Sequence, residues 1–244
     1  MLKITNYVPN TWVDLQNNVA KYFMEAGYSA TTPCKLKGVR GEVEVDVFVS
    51  APDELAKKII CECKFWSTPV PQEKVHAFRT VVGDTGATLG ILISKSGFQA
   101  GAVKAAEHSN VLLLTWNNFL DLIYERWLTR QTKRLKLKNR SLYVYSSPLS
   151  DVPVEKLPEE QQKEYYAKTK EYFEVWSQSW PVSTKALREH DSSLYCFDKY
   201  SSIEDYLIFL SDRIDEAIEF YQKIFQGVDI PACRFEPVSL DAFF

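Results

Sequence analysis

No apolar run in this 244-residue chain reaches the length of a membrane-spanning helix, about 18 residues. The opening stretch Met1-Leu2-Lys3-Ile4-Thr5-Asn6 lacks the apolar core of a signal peptide. Cysteine is sparse and odd in number, five residues with no Cys-x-x-Cys spacing, so neither a disulfide framework nor a zinc site of that kind is written here. Histidine is sparser still, and His76 has no second histidine at ligand spacing. The glycines Gly83, Gly86, Gly90 and Gly97 form neither a G-x-G-x-x-G nor a Walker pattern, so no nucleotide cofactor is indicated. The expectation is a cytoplasmic protein in a reducing compartment, without membrane contact.

What is present is ordinary in bulk and uneven in distribution. Hydrophobic residues at 45% and charged residues at 25% suit a soluble globular protein, long enough for one large domain or two small ones. Residues 1–140 carry 19 Lys and Arg against 13 Asp and Glu, whereas residues 141–244 carry 10 against 19. A basic half followed by an acidic half suggests a part that faces nucleic acid and a part with another task, the alternative being two merely soluble halves.

Two stretches carry the chemistry. Glu42-Val43-Glu44-Val45-Asp46-Val47-Phe48-Val49 and Ile59-Ile60-Cys61-Glu62-Cys63-Lys64 both alternate apolar and polar residues, the pattern of strands with one buried face. The connector between them is short and contains Pro52-Asp53, so an antiparallel hairpin turning near Glu54 is expected. That register sets Asp46 opposite Glu62 and Glu44 opposite Lys64. Opposed carboxylates repel unless something positive lies between them. Hard oxygen ligands on a sheet suit Mg²⁺ or Mn²⁺, and a lysine on the same face can orient a water or offset developing negative charge. A solvated face of alternating Glu and Lys is the plainer alternative.

Gly41-Glu42-Val43-Glu44-Val45-Asp46-Val47, then Cys61-Glu62-Cys63-Lys64, then Gly90-Ile91-Leu92-Ile93 and Gly97-Phe98-Gln99-Ala100-Gly101-Ala102, in that order, resemble the Mrr-type restriction endonuclease domain of the PD-(D/E)xK nuclease superfamily. The resemblance covers about the first half of the chain. It implies a Mg²⁺-dependent phosphodiesterase in which Asp46 and Glu62 bind metal, the Cys63 main-chain carbonyl adds a ligand and Lys64 assists the nucleophile. Mn²⁺ is the natural substitute. It also implies a Glu or Gln on the first helix facing the site, which Gln16 matches, and it sets Gln72 near the catalytic strand. Glu44 is a further candidate.

The fold class expected is α/β: a restriction-endonuclease-like core, with a mixed β-sheet flanked by helices, over residues 1–140, followed by a mostly helical region over residues 141–244. Asn10 or Thr11 caps a first helix with Trp12, Leu15, Val19 and Phe23 on its apolar stripe. Tyr28–Leu36 reads as a strand, residues 72–82 as a helix stopped before Gly83, and Leu89–Ile93 and Val111–Leu114 as buried parallel strands around the alanine-rich helix 99–107. The loop Ser94-Lys95-Ser96-Gly97-Phe98 reads as a phosphate contact or, equally, a tight polar turn.

From Asn117 the chain turns helical and enters residues 126–140, which hold seven cations and no acid. Arg130, Lys133, Arg134, Lys136 and Lys138 are candidates, with Lys95, for neutralising DNA phosphates. A solvated helix end is the alternative. In the acidic half, Ser201-Ser202-Ile203-Glu204 is a capping box, and Tyr165, Tyr166, Tyr172, Phe173, Trp176 and Trp180 are expected to form a helical core or, alternatively, a partner surface.

The function expected is a Mg²⁺-dependent DNA endonuclease serving restriction or defence against foreign DNA. Cutting both strands at once suggests a homodimer, and the acidic half suggests a protein partner. A structure-selective repair or junction nuclease, and a non-catalytic nucleic-acid-binding module on the same fold, are the alternatives.

Overall fold

The structure is a computed structural model that describes residues 2–51, 57–146 and 152–230. The chain divides into two compact units, Tyr7–Leu128 and Met1–Asn6 with Thr129–Phe244.

Within the first unit, helix α1 (Trp12–Glu25) starts where Thr11 Oγ1 accepts the Asp14 amide at 3.1 Å. Strands β1 (Ser29–Thr31), β2 (Cys34–Gly38), β3 (Gly41–Val45), β4 (Val47–Ala51) and β5 (Lys57–Lys64) follow. Next come α2 (Gln72–Thr85), β6 (Leu89–Ser94), α3 (Ala100–Ala106), β7 (Val111–Thr115) and α4 (Trp116–Arg140). Five strands make one mixed sheet in the order β1-β4-β5-β6-β7. The pairs β1·β4 and β4·β5 are antiparallel, whereas β5·β6 and β6·β7 are parallel, as their β-α-β connections require. The expected turn around Pro52, Asp53 and Glu54 lies outside the described residues.

Two strands expected to be continuous are broken. Residues 28–36 divide at Thr32 and Pro33, where proline has no amide to donate to a ladder. The run 42–49 parts at Asp46. The two-residue turn between Gly38 and Gly41 folds β3 back onto β2, and these two make a separate ribbon, while β4 turns into the main sheet. Helix α2 also overruns its expected end: Gly83 lies inside it, and Gly86, in the left-handed conformation at φ +64°, stops it instead.

Each face of the main sheet has its own core. On one side Ile60 and Leu92 meet Val75, Phe78 and Val82 of α2 and Ala102 and Ala105 of α3. Burying each large side chain there stabilises the fold by about 1.5–3 kcal/mol. The packing is close enough that Gly90 has no room for a methyl group, because a Cβ would lie 2.4 Å from Val82 Cγ2. On the other side α1 contacts β1, β4 and β5. It packs on α4 through Phe23 and Phe119, whose rings are 5.2 Å apart, and through Trp127 Nε1, which donates to Glu25 at 2.7 Å.

The second unit is helical, built on α5 (Tyr143–Ser146), α6 (Glu159–Ser179), α7 (Thr184–Glu189) and α8 (Ile203–Ile224). Tyr221 of α8 stacks on Tyr145 at 4.6 Å and meets Tyr172 of α6 edge-on at 5.8 Å. The cap of α8 sits one residue later than expected: Ser202 Oγ accepts the Asp205 amide, so Asp205 rather than Glu204 completes it. Two of the helix's first amides are satisfied by the chain start, Ile203 N donating to Lys3 O and Glu204 N to Ile4 O. Tyr165 and Tyr172 are buried as expected, but Tyr166, Phe173 and Trp180 are exposed, so the expected aromatic core is only partly internal. Among the described residues no helix is long and apolar enough to cross a membrane.

Candidate active site

The break at Asp46 builds the site. The main-sheet ladder ends at the pair Val47↔Cys61, and one step beyond it the register sets Asp46 beside Glu62. There the Asp46 carboxylate spans two elements. Its Oδ2 accepts the Cys63 amide of β5 at 2.6 Å, and its Oδ1 accepts Gln16 Nε2 of α1 at 2.6 Å. Gln16 is buried, 6% exposed, and points at the carboxylate. The amide of a strand and the side chain of a helix thus fix one acid at the end of the sheet, each bond strengthened by the acceptor's charge.

On β5 the Glu62 carboxylate pairs with the Lys64 ammonium, two residues along the same face. Lys64 Nζ also lies 5.4 Å from the centre of the Trp66 ring. Burial raises the pKa of Glu62 above the ordinary carboxyl value, the Lys64 hydrogen bond opposes this, and the Asp46 charge adds to the rise. Cys61 and Cys63, buried on the opposite face, have their thiols pushed up by the same desolvation, so they act as neutral core residues. Asp46, Glu62, Lys64 and Gln16 are therefore brought into one cluster from α1, the β3–β4 break and β5.

Residues 9–123 match the restriction endonuclease family model Mrr_cat. The N-terminal half of the chain is thus an Mrr-type restriction endonuclease domain, with the mixed sheet and flanking helices of that fold. The match points to a nuclease of this superfamily. Among solved structures, one titled "Protein of Unknown Function AF1548" is similar at 16% identity and a TM-score of 0.41, over 86% of this chain and 99% of that one. No curated protein matches.

Elsewhere in the Mrr-type domain the expected residues part ways. Glu44 does not oppose Lys64: it sits on the β2·β3 ribbon opposite Lys35 and is exposed, because β3 has left the main sheet. Gln72 turns toward His76, 3.2 Å away, and lies against Gly101 of α3, where a Cβ would meet its Oε1 at 2.7 Å. Lys95 is exposed one residue past β6; its amide donates to Lys64 O at 3.0 Å and its ammonium lies 4.2 Å over the Phe65 ring. In the same loop Ser94 is buried, and its hydroxyl is spent on Gly97 O at 2.9 Å, the use a tight turn makes of serine.

The basic run falls apart into separate roles. Arg126 donates to Ala26 O at 3.0 Å and lies over Tyr28, so it is structural. Lys138 is taken up by Asp215 and Ser211 of α8, which withdraws it from the phosphate-binding set. Lys133 and Lys136 line a cavity in the helical unit, and Arg130 and Arg134 occupy neighbouring turns of α4.

Two residues at the site had no part in the sequence reading of it. Trp12, taken as part of the apolar stripe, is 49% exposed, and its indole Nε1 donates to the Cys63 carbonyl at 3.1 Å. Lys74, near the start of α2, lowers the Glu62 pKa through its charge. A tryptophan at the very start of a helix, where one flank faces solvent, was the available signal for the first. For Lys74 there was none, because the approach of α2 to β5 is a tertiary fact.

The residues present fit a divalent cation. The donor set, Asp46, Glu62 and the Cys63 carbonyl, is all hard oxygen. Among the described residues no group of three or more His, Cys, Asp and Glu side chains could make a full protein cage. Mg²⁺ needs none, keeping several waters and taking one or two carboxylates. A carboxylate offers about four lone-pair sites, of which Asp46 has two engaged, and a carbonyl offers two, of which Cys63 has one engaged by Trp12.

Proposed function

We propose that the chain is a Mg²⁺-dependent DNA endonuclease, for which Mn²⁺ substitutes, acting in restriction or defence against foreign DNA. The observation that carries this reading is the Asp46 carboxylate clamped to the Cys63 amide, which ties it to the strand bearing Glu62 and Lys64 inside a domain that matches a restriction endonuclease model. Asp46 and Glu62 would hold the cation with the Cys63 carbonyl. The bound cation would polarise the attacking water and offset charge on the scissile phosphate. Gln16 and the Cys63 amide fix the Asp46 carboxylate before substrate arrives, so little reorganisation is left for the reaction. Lys64, steered by Glu62 and Trp66, presents its ammonium to the water and to a phosphate oxygen. Lys95, beside Lys64 at the sheet's end, meets the DNA backbone. A homodimer supplies the second site for double-strand cutting, and the acidic half engages a protein partner.

The test is cleavage of plasmid and branched DNA with Mg²⁺, Mn²⁺ or EDTA by the wild type and by Asp46→Ala, Glu62→Ala and Lys64→Ala. Metal-dependent cutting lost at least 100-fold in all three supports the proposal. Cutting confined to branched DNA makes the chain a structure-selective nuclease, and salt-sensitive binding without cutting makes it a binding module.

A further inference from the structure

The helical unit contains a cavity of about 820 Å³ that the nuclease reading does not use. Its walls come from the second half of α4, from α5, from the end of α6 and from the start of α7. Lys133, Lys136 and Arg140 share one side of α4 at helical spacings of three and four residues, and all three line the cavity. Tyr143, Trp176 and Trp180 line it too. The two indoles meet edge to face, centroids 6.1 Å apart with planes at 83°, and Trp180 is 40% exposed despite its size. No carboxylate is among the described lining residues.

Three cations and three aromatic rings around one hollow specify a ligand that is anionic at one end and flat at the other. A volume of this size falls in the range of small-molecule sites, about 300–1,000 Å³. The distribution of the basic run argues for a discrete ligand over a polymer track. Lys138, two residues from both Lys136 and Arg140 and so not on their side of the helix, is consumed by Asp215 and Ser211, and neither Arg130 nor Arg134 is among the lining residues. We propose that this cavity binds a free nucleotide, its base stacked on Trp180 with Trp176 meeting its edge, and its phosphates against Lys133, Lys136 and Arg140. Stacking supplies a sequence-tolerant grip on any base and the cations supply the charge match. The proposal does not depend on the Mrr-type domain being active.

The experiment is calorimetric titration of the full chain with AMP, ATP and a linear diadenylate, with adenosine, inorganic phosphate and a twelve-residue oligothymidylate as comparisons. The expected result is one-to-one saturation by at least one of the three nucleotides, with adenosine and phosphate alone at least tenfold weaker. Trp180→Ala and Lys136→Glu, both at the cavity wall, should each weaken binding at least tenfold while the melting temperature of the unliganded protein holds. If one variant proves unstable, the other carries the test. Asp46→Ala should bind as the wild type does, which separates this site from the nuclease cluster. Absence of saturation by all three nucleotides, equal binding by both cavity variants, or binding of the oligonucleotide in their place would overturn the proposal.

Discussion

Gln16 and Asp46, on an N-terminal helix and at a strand break thirty residues later, are joined by a 2.6 Å hydrogen bond between the amide nitrogen and Oδ1. The donor aims the carboxylate without competing with it for a cation. Gln16→Glu would replace that donor with a second acid. Thermal melts in EDTA should show this variant less stable than the wild type by about 2 kcal/mol, the worth of a hydrogen bond to a charged group, and Mg²⁺ should recover most of the loss. An unchanged melt in EDTA would mean that the bond does not order the site.

Glu62 should make both stability and activity depend on pH. Burial, more than any other influence, raises its pKa in the folded protein above that of the unfolded chain. Its favourable contribution is therefore complete below the unfolded carboxyl value and is lost as pH rises through the folded value. Urea titrations in EDTA between pH 4 and 8 should show the wild type losing ground to Glu62→Gln over that interval. If Glu62 holds the proposed cation, the acid limb of the cleavage profile should follow the same ionisation, and Lys74→Glu should move that limb to higher pH.

Two lysines that look alike in sequence should behave differently toward DNA. Lys95→Ala should reduce the slope of log binding constant against log salt by about 1, as expected for one lost phosphate contact. Lys138→Ala should leave the slope unchanged and lower stability by about 0.5–1 kcal/mol, because its ammonium pairs with the half-exposed Asp215. Filter binding across a salt series, with urea melts of both variants, distinguishes the two.

Gly90→Ala tests the core behind the site. The added methyl would meet Val82 Cγ2 at 2.4 Å, Phe78 Cε1 at 2.9 Å and Val111 Cγ2 at 3.2 Å. Overpacking of this kind costs about 1–3 kcal/mol. A denaturation midpoint equal to the wild type's would show that α2 can move off the sheet freely.

The acidic and basic residues of the cluster were legible because strand alternation is local: Glu62 and Lys64 share a face whatever lies around them, and pairing of the adjacent strand sets Asp46 next to Glu62. What sequence could not supply was the fate of the strand before Asp46. Its alternation continues unbroken through Val43 and Val45, and only the tight turn at Gly38 and Gly41 decides that it pairs with β2, carrying Glu44 away from Lys64. The partner of Lys138 was illegible for a related reason. A count of cations says nothing about partners such as Asp215, which arrives from 77 residues farther along the chain.

The Trp12 hydrogen bond to the Cys63 carbonyl, with the Gln16 contact one helical turn on, means that the acid cluster is stitched together from segments distant in the chain. A chain nicked and loosened between the first helix and the central strand holds the same acids and lysine but not in register. Whatever chemistry the cluster performs is thereby confined to the folded domain.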